Sequence, residues 1–327
     1  MKILQWLLFA AAAAQALAPS TASAQAAPAF PTRTVTLVVP FTANSGSDII
    51  SRIISPRLSA LWKQPVIVDN RPGASGTLGA NQVARATPDG HTLLMMINTF
   101  TTAPSLYKNL PFDPINDFTP VAKLAEATFT LAVNSSLPVK DMASLFAYAK
   151  QNPGKLNYAS PGNGTPQHLA MEVLKSRYDL NMLHVPYKGI AGAFTDLAGG
   201  QVQLMLATVH SAQPVVSSGR VRLIAINGAA RNPLAPNVAT FREQGVDVMD
   251  GVDAWYGVMA PAHTPPALVE RLNRDFLTVM NAEDTKAELA KVGLSVHTST
   301  PAQLGALVKT DLARWRKVIT DAKITAD

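Results

Sequence analysis

The stretch Leu156-Asn157-Tyr158-Ala159-Ser160-Pro161-Gly162-Asn163-Gly164-Thr165-Pro166-Gln167-His168-Leu169-Ala170 carries most of the information in this chain. It reads as a short strand ending at Ser160, a Gly-rich turn, and a helix opening at Thr165. Gly162 and Gly164 carry no Cβ, so backbone can approach a ligand closely there. The first N–H groups of the following helix have no intrahelical acceptor and point at the turn, which makes an anion site. A second strand, Val35-Thr36-Leu37-Val38-Val39-Pro40, runs into Phe41-Thr42-Ala43-Asn44-Ser45-Gly46-Ser47-Asp48 in the same manner. Two such turns, over a hundred residues apart, predict two domains that each offer a helix N-terminus to one anionic ligand.

Around these turns the pattern alternates strand and helix. Apolar residues at Ile49, Ile50, Ile53, Ile54, Leu58 and Leu61 have helical spacing, and Pro65–Val68 and Thr92–Ile97 read as strands. The segment through Pro111, Asn116 and Phe118 reads as a loop, with a new strand from Phe129 and a further strand at Val202–Ala207. Val246–Met249 reads as extended, and Ala254–Ala260 as a strand crossing back. The expected fold class is α/β, with parallel-rich sheets, helices on both faces and a hinge of two crossings. The boundaries fall at 30–125 plus 253–327 for one domain and 126–252 for the other. Ligands bind such sheets at the carboxyl ends of strands, which puts Thr99, after Ile97, among the candidates.

The length of 327 residues suits two domains, and 47% hydrophobic against 15% charged residues suits a globular chain. Lys2, an apolar run to Ala18 and Ala22-Ser23-Ala24 read as a signal peptide over 1–24, cleaved near Ala24/Gln25. With no cysteine, the chain has no disulfide and no N-terminal lipid attachment. The expectation is a soluble periplasmic protein that is not a lipoprotein. The formal charge of +6 is spread out, with one dense group at Arg314, Arg316 and Lys317 that reads as a solvated helix face. No nucleic-acid partner is expected.

Catalysis finds little support. None of the six histidines lies in an H-E-x-x-H pair, and His168 with Glu172 at i, i+4 is too common a spacing to count as a metal site. Ser45 and Ser160 sit in turns before helices, yet neither lies in G-x-S-x-G and the sequence pairs no base with them. The expectation is no catalytic residue, no metal and no cofactor. Asp48, Ser47 and Thr165 each have a competing role as helix caps. His168 has two readings, a donor to ligand or a support for its loop, and Trp255 and Tyr256 line either the cleft or the core.

Taken together, the sequence resembles the Bug family of extracytoplasmic solute receptors, the substrate-binding components of tripartite tricarboxylate transporters. The carriers are Val38-Val39-Pro40-Phe41 with its turn to Asp48, Val68–Ala74, Pro88–Leu94, Asn157–Leu169, Val185–Gly189, Gly199–Val202 and Ala260–Pro266. The resemblance implies a type II-like periplasmic-binding fold that closes on a small carboxylate, a dicarboxylate, tricarboxylate or aromatic acid, and delivers it as a monomer to membrane transporter subunits. It adds Tyr187, Lys188 and Gly189 to the candidate ligand residues Asn44, Ser45, Gly46, Ser47, Asp48, Thr99, Ser160, Asn163, Gly164, Thr165 and His168. It also adds Thr208, which stands where the family often has Asp, so a ligand with a protonated amine is disfavoured. The rival readings are a ligand sensor feeding a membrane sensor kinase and an exported hydrolase.

Overall fold

The computed structural model describes residues 30–107, 109–187, 189–249, 252–321 and 324. The leader assigned to 1–24, its cleavage point near Ala24/Gln25, and Lys188 lie outside them.

Strand β1 (Val35–Val39) is a run of β-branched and apolar residues, and it pairs in parallel with β2 (Val66–Asn70) and β3 (Thr92–Ile97). Helices α1 (Gly46–Trp62) and α2 (Thr77–Ala84) make the crossovers. The two-residue period of β1 sorts its side chains. Leu37 and Val39 enter one core with Ile50, Ile54 and Leu58 of α1, whereas Val38 enters a second with Ala80 and Val83 of α2. Each face of the sheet thus acquires its own helix layer.

The sheet is completed by β4 (Phe118–Ala127), β10 (Ala254–Pro261) and β11 (Leu294–Val296), all antiparallel to their neighbours, in the order β11-β4-β10-β3-β1-β2. Helix α3 (Thr99–Leu106) follows β3. The second sheet has the order β7-β6-β8-β5-β9, from β5 (Phe129–Asn134), β6 (Leu156–Ser160), β7 (Met182–Pro186), β8 (Leu204–Thr208) and β9 (Val221–Ile226). Between them run α4 (Met142–Gln151), α5 (Pro166–Tyr178), α6 (Ile190–Gly199) and α7 (Val209–Ser217). Leu204 and Leu206 face one core and Met205 and Ala207 the other, so this sheet is also covered on both sides. After β10 come α8 (Pro266–Asn281), α9 (Glu283–Lys291) and α10 (Pro301–Asp321).

The chain passes from the first sheet to the second at Thr128 and returns at Asp253. Both crossings lie at the strand ends that carry the two turns. Three elements differ from expectation. The residues from Phe118 belong to a ten-residue strand, β4, and not to a loop. Helix α7 occupies residues for which the sequence pattern gave no element, and it forms although Pro214 lies within it. Asp247–Met249 is a 3-10 turn where an extended segment was expected. Among the described residues no helix is long and apolar enough to cross a membrane.

Trp255, at the start of β10, is 5% exposed and donates from Nε1 to Asp311 Oδ2 of α10 at 2.7 Å. Burial pushes the Asp311 carboxyl up, and the Trp255 hydrogen bond opposes that. Trp255→Phe removes this donor from a buried carboxylate and is expected to cost about 1–3 kcal/mol in urea unfolding. A loss below the error of that measurement would show that the bond does not fasten α10 to the sheet.

Candidate ligand-binding site

The first turn is held from within. Asn44 adopts a left-handed conformation (φ 65°), and its N–H donates to Asp48 Oδ2 at 2.9 Å. Ser45 caps α1, its Oγ accepting from Asp48 N at 3.4 Å. Asp48 also accepts from Arg52 Nε at 3.0 Å and from Asn70 Nδ2 at 2.9 Å, while Asn70 Nδ2 reaches back to the Phe41 carbonyl at 3.1 Å. Burial works against charge on this carboxyl. The hydrogen bonds from Arg52, Asn44 and Asn70, with the Arg52 charge, outweigh it and hold Asp48 below the usual carboxylate range. Asp48 is 1% exposed and spent on the loop, which favours its capping role. What the turn leaves open are the Gly46 and Ser47 N–H groups at the start of α1, which have no intrahelical acceptor.

Gly46 is required here for space. A Cβ at that position would lie 2.2 Å from the Tyr256 hydroxyl. Tyr256 therefore brings the buried β10 against the open end of α1, and its burial raises the phenol pKa, so the hydroxyl stays neutral.

The second turn spends more of its donors internally. Thr165 caps α5, accepting from His168 N at 3.4 Å and donating to the Gly162 carbonyl at 2.8 Å. Gly164 N donates to His168 Nδ1 at 3.0 Å. Pro166 has no N–H to offer. His168 is thus a buttress of the turn. Its ring stacks on His184 at 3.8 Å, and His184 stacks on Tyr158 at 4.8 Å. Glu172 accepts from the Tyr158 hydroxyl at 2.5 Å and from Lys175 at 2.6 Å, closing the cluster.

Ser160 does meet a base, which the sequence did not pair with it: His184 Nε2 lies 2.7 Å from its Oγ. The separation of 24 residues hid this contact, which arises because β6 and β7 run side by side in parallel. The pair is poorly suited to nucleophilic attack. Ser160 is fully buried, and its Oγ also donates to Gly162 O at 3.0 Å and accepts from Gly162 N at 3.2 Å. Burial, then the neighbouring His168, lowers the His184 pKa to about 3, far below the range of an effective general base.

Two further candidates turn inward. Tyr187 sends its hydroxyl to Asp196 at 2.6 Å, although its N–H, bonded to Ser160 O at 3.0 Å, keeps its backbone beside the second turn. Thr208 is 6% exposed, with Oγ1 on Ser211 Oγ at 2.8 Å. Gly189 is the residue at the N-cap of α6, where no side chain caps the helix.

Residues that the sequence did not single out tie the second turn to the segments around α3. Thr102 of α3 donates to the Gly164 carbonyl at 2.7 Å. Ser75 Oγ lies 3.4 Å from the Asn163 carbonyl and 3.0 Å from the Tyr107 hydroxyl. Thr99, 3% exposed, begins the same helix and accepts from Thr102 through its carbonyl. Leu106 packs so closely that a Cβ on Gly164, itself at φ 71°, would fall 1.8 Å from Leu106 Cδ1. Among the described residues no group of His, Asp and Glu is placed to hold a metal ion.

Known proteins resemble this chain in sequence and in fold. Residues 50–324 match the tripartite tricarboxylate transporter family receptor. A curated relative from a Pseudomonas species, the UPF0065 protein of the tcbD-tcbE intergenic region, is 36% identical over 318 residues, covering 96% of this chain and 94% of its own length. The structure of R. palustris Rpa4515 with adipate has a TM-score of 0.84 at 34% identity, covering 90% of this chain and 99% of that one. MatC from Rhodopseudomonas palustris with bound malate has a TM-score of 0.79 at 33% identity, covering 89% and 100%.

Two measurements follow from the turns. Gly164→Ala meets both a left-handed backbone and the Leu106 side chain, and is expected to lose about 1–3 kcal/mol of stability. Gly199→Ala, with open space around its Cβ position inside α6, serves as the control and stays within about 0.5 kcal/mol or gains slightly. Equal unfolding midpoints for the two would contradict the Leu106 contact. Burial lowers the His168 pKa from 6.5 to about 4, so the folded state keeps it neutral while the unfolded chain takes up a proton below 6.5. Its contribution to stability is complete above pH 6.5 and is lost as the pH falls toward 4, at up to about 1.4 kcal/mol per pH unit. The unfolding free energy of His168→Gln should fall less steeply than that of the parent over this window; parallel curves would refute the assignment.

Proposed function

The chain belongs to the tripartite tricarboxylate transporter receptor family, and from that premise we propose that it is a periplasmic solute-binding protein for a small organic carboxylate. Its lobes are residues 30–125 with 253–327 and residues 126–252. The ligand sits between them and is passed, on closure, to membrane transporter subunits. The observation that carries this reading is the open N-terminus of α1. The Asp48–Arg52–Asn70 bonds fix the turn, and the Gly46 and Ser47 N–H groups at its helix end have no intrahelical acceptor. A carboxylate there receives two N–H donors and the positive end of the helix dipole, the dipole alone giving about 0.3–1 kcal/mol and more when partly buried. The relatives seen with adipate and malate support a carboxylate as the ligand.

Binding without chemical turnover is the reading favoured by Ser160. A fully buried hydroxyl with both its donor and acceptor capacity engaged in the turn gives a substrate nothing to react with. The serine instead ties the strand end to the Gly162 backbone.

The test is a thermal-shift screen of the chain from Gln25 with aliphatic dicarboxylates, tricarboxylates and aromatic acids, each beside its neutral amide. A ligand at 100 times its Kd stabilises by about 2.7 kcal/mol, enough to move Tm by several degrees. A shift with an acid and none with its amide is the expected result. Gly46→Ala, which forces the Tyr256 hydroxyl out of the turn, should reduce that shift by at least half. Equal shifts for acid and amide would reject a carboxylate receptor.

A further inference from the structure

The second turn touches chain that belongs to the other sheet. Helix α3 follows β3 of the six-stranded sheet, and its Phe100 is buried in a core of that sheet, stacked on Phe112 at 5.7 Å and edge-on to Phe118 at 5.1 Å. The turn follows β6 of the five-stranded sheet, and the Thr165 cap, the Gly164–His168 bond and Tyr187 N on Ser160 O fasten it there. Each side is thus held within its own half of the molecule. Three contacts join them: Thr102 Oγ1 on the Gly164 carbonyl at 2.7 Å, Ser75 Oγ at 3.4 Å from the Asn163 carbonyl, and Leu106 against Gly164.

Both hydroxyls also have a partner in their own half. Thr102 Oγ1 lies 3.0 Å from the Thr99 carbonyl, and Ser75 Oγ lies 3.0 Å from the Tyr107 hydroxyl. A hydroxyl has one proton to donate. If the turn withdraws, that proton stays with Thr99 or Tyr107, and no donor is orphaned. The Gly164 carbonyl has no such reserve. Gly164 is buried, so without Thr102 its oxygen must either stay unpaired or open to water. The contact is therefore cheap to break, yet a closed form without the Thr102 hydroxyl is penalised. Ala74 and Ser75 both hold left-handed backbone, at φ 46° and 52°, a costly state for residues with a Cβ. That conformation sets Ser75 beside Asn163.

The place of these bonds gives them leverage. Asn98 Nδ2 donates to the Asp253 carbonyl at the return crossing at 2.9 Å, and Leu106 stands about 12 Å farther along α3. Another close approach of the two halves, Gly293 against His210, lies beside the outward crossing, where Val209 N donates to Thr128 O at 3.1 Å. Rotation about the crossings displaces the far end of α3 more than it displaces Gly293. We propose that Thr102 and Ser75 are positioning residues that latch the two lobes shut. Their bonds are made between protein groups alone, so the ligand-free chain is mostly closed and admits its ligand through a minority open form. This rests on the two-lobe receptor reading.

The chain has no cysteine, so spin labels can be placed cleanly at Gln82→Cys on α2 and Ser176→Cys on α5, both exposed. Double electron–electron resonance on the ligand-free chain from Gln25 then reads the distance between the lobes, with the radius of gyration from small-angle X-ray scattering as a second readout. The parent is expected to give one main population of short distances. Thr102→Val should lower the ratio of short to long distances by about fivefold or more, the factor that one buried hydrogen bond sustains, and Ser75→Ala should lower it less. Thr102→Ser, which keeps the hydroxyl, should restore the parent distribution. If long distances dominate in the parent, or if Thr102→Val and Ser75→Ala leave both readouts at parent values, the inference is overturned. It is overturned too if Thr102→Ser opens as far as Thr102→Val, since packing of the methyl group would then be the cause. Ser75→Ala, at a half-buried loop position, gives the answer even where Thr102→Val fails to fold. No ligand enters this measurement, so its failure leaves the carboxylate reading to the thermal-shift screen.

Discussion

The cleft depends on the carboxylate of Asp48. It is buried in the first turn of α1 and receives hydrogen bonds from a backbone N–H before the helix, a guanidinium one turn along it, and an amide at the end of β2. Those three partners come from three separate pieces of chain. One negative charge thereby fixes the loop, the helix and the neighbouring strand in a single geometry. An acid in a turn proposed to receive an anionic ligand looks self-defeating, since like charges repel. The conflict is eased because Asp48 is satisfied from the side of Arg52 and Asn70, which leaves the Gly46 and Ser47 N–H groups without its carboxylate as acceptor. The second turn reaches rigidity by a neutral route, with stacked histidines behind it and Thr165 and Ser160 tied to the Gly162 backbone.

Much of this was legible in the sequence. The strand–turn–helix units at Val35–Trp62 and Leu156–Tyr178 follow from local chemistry: apolar strands, small turn residues and an N-cap in each. The elements that escaped share a different origin. Strand β4 contains Pro120, Lys123 and Glu126, which argue against a buried strand. It forms because β10 and β11 pair with both its edges and because Lys123 and Glu126 satisfy each other. Helices α3 and α7 contain Pro104 and Pro214, and tertiary contacts override that local penalty.

Site residues divide in the same way. Gly46, Gly164 and Thr165 announce themselves by backbone requirements that a single chain segment displays. His184 beside Ser160, and Thr102 and Ser75 against the second turn, all bridge segments distant along the chain. No local pattern encodes such meetings; they are products of strand register and of the two crossings. Asp48 and His168 sat on the boundary. Their residue types pointed to function, whereas their partners show that they shape the backbone around the cleft.

The position of β10 has a consequence for how the molecule can be assembled in time. It lies between β3 and β4, so the six-stranded sheet has no continuous middle until residues 254–261 have been added. The five strands of the other sheet, by contrast, are all in hand once Ile226 has emerged. A chain presented from its N-terminus can complete the inserted lobe while β1–β3 and β4 wait as separate fragments with open edges. Those edges are the segments most exposed to wrong pairing, and the last strands to arrive are the ones that close them.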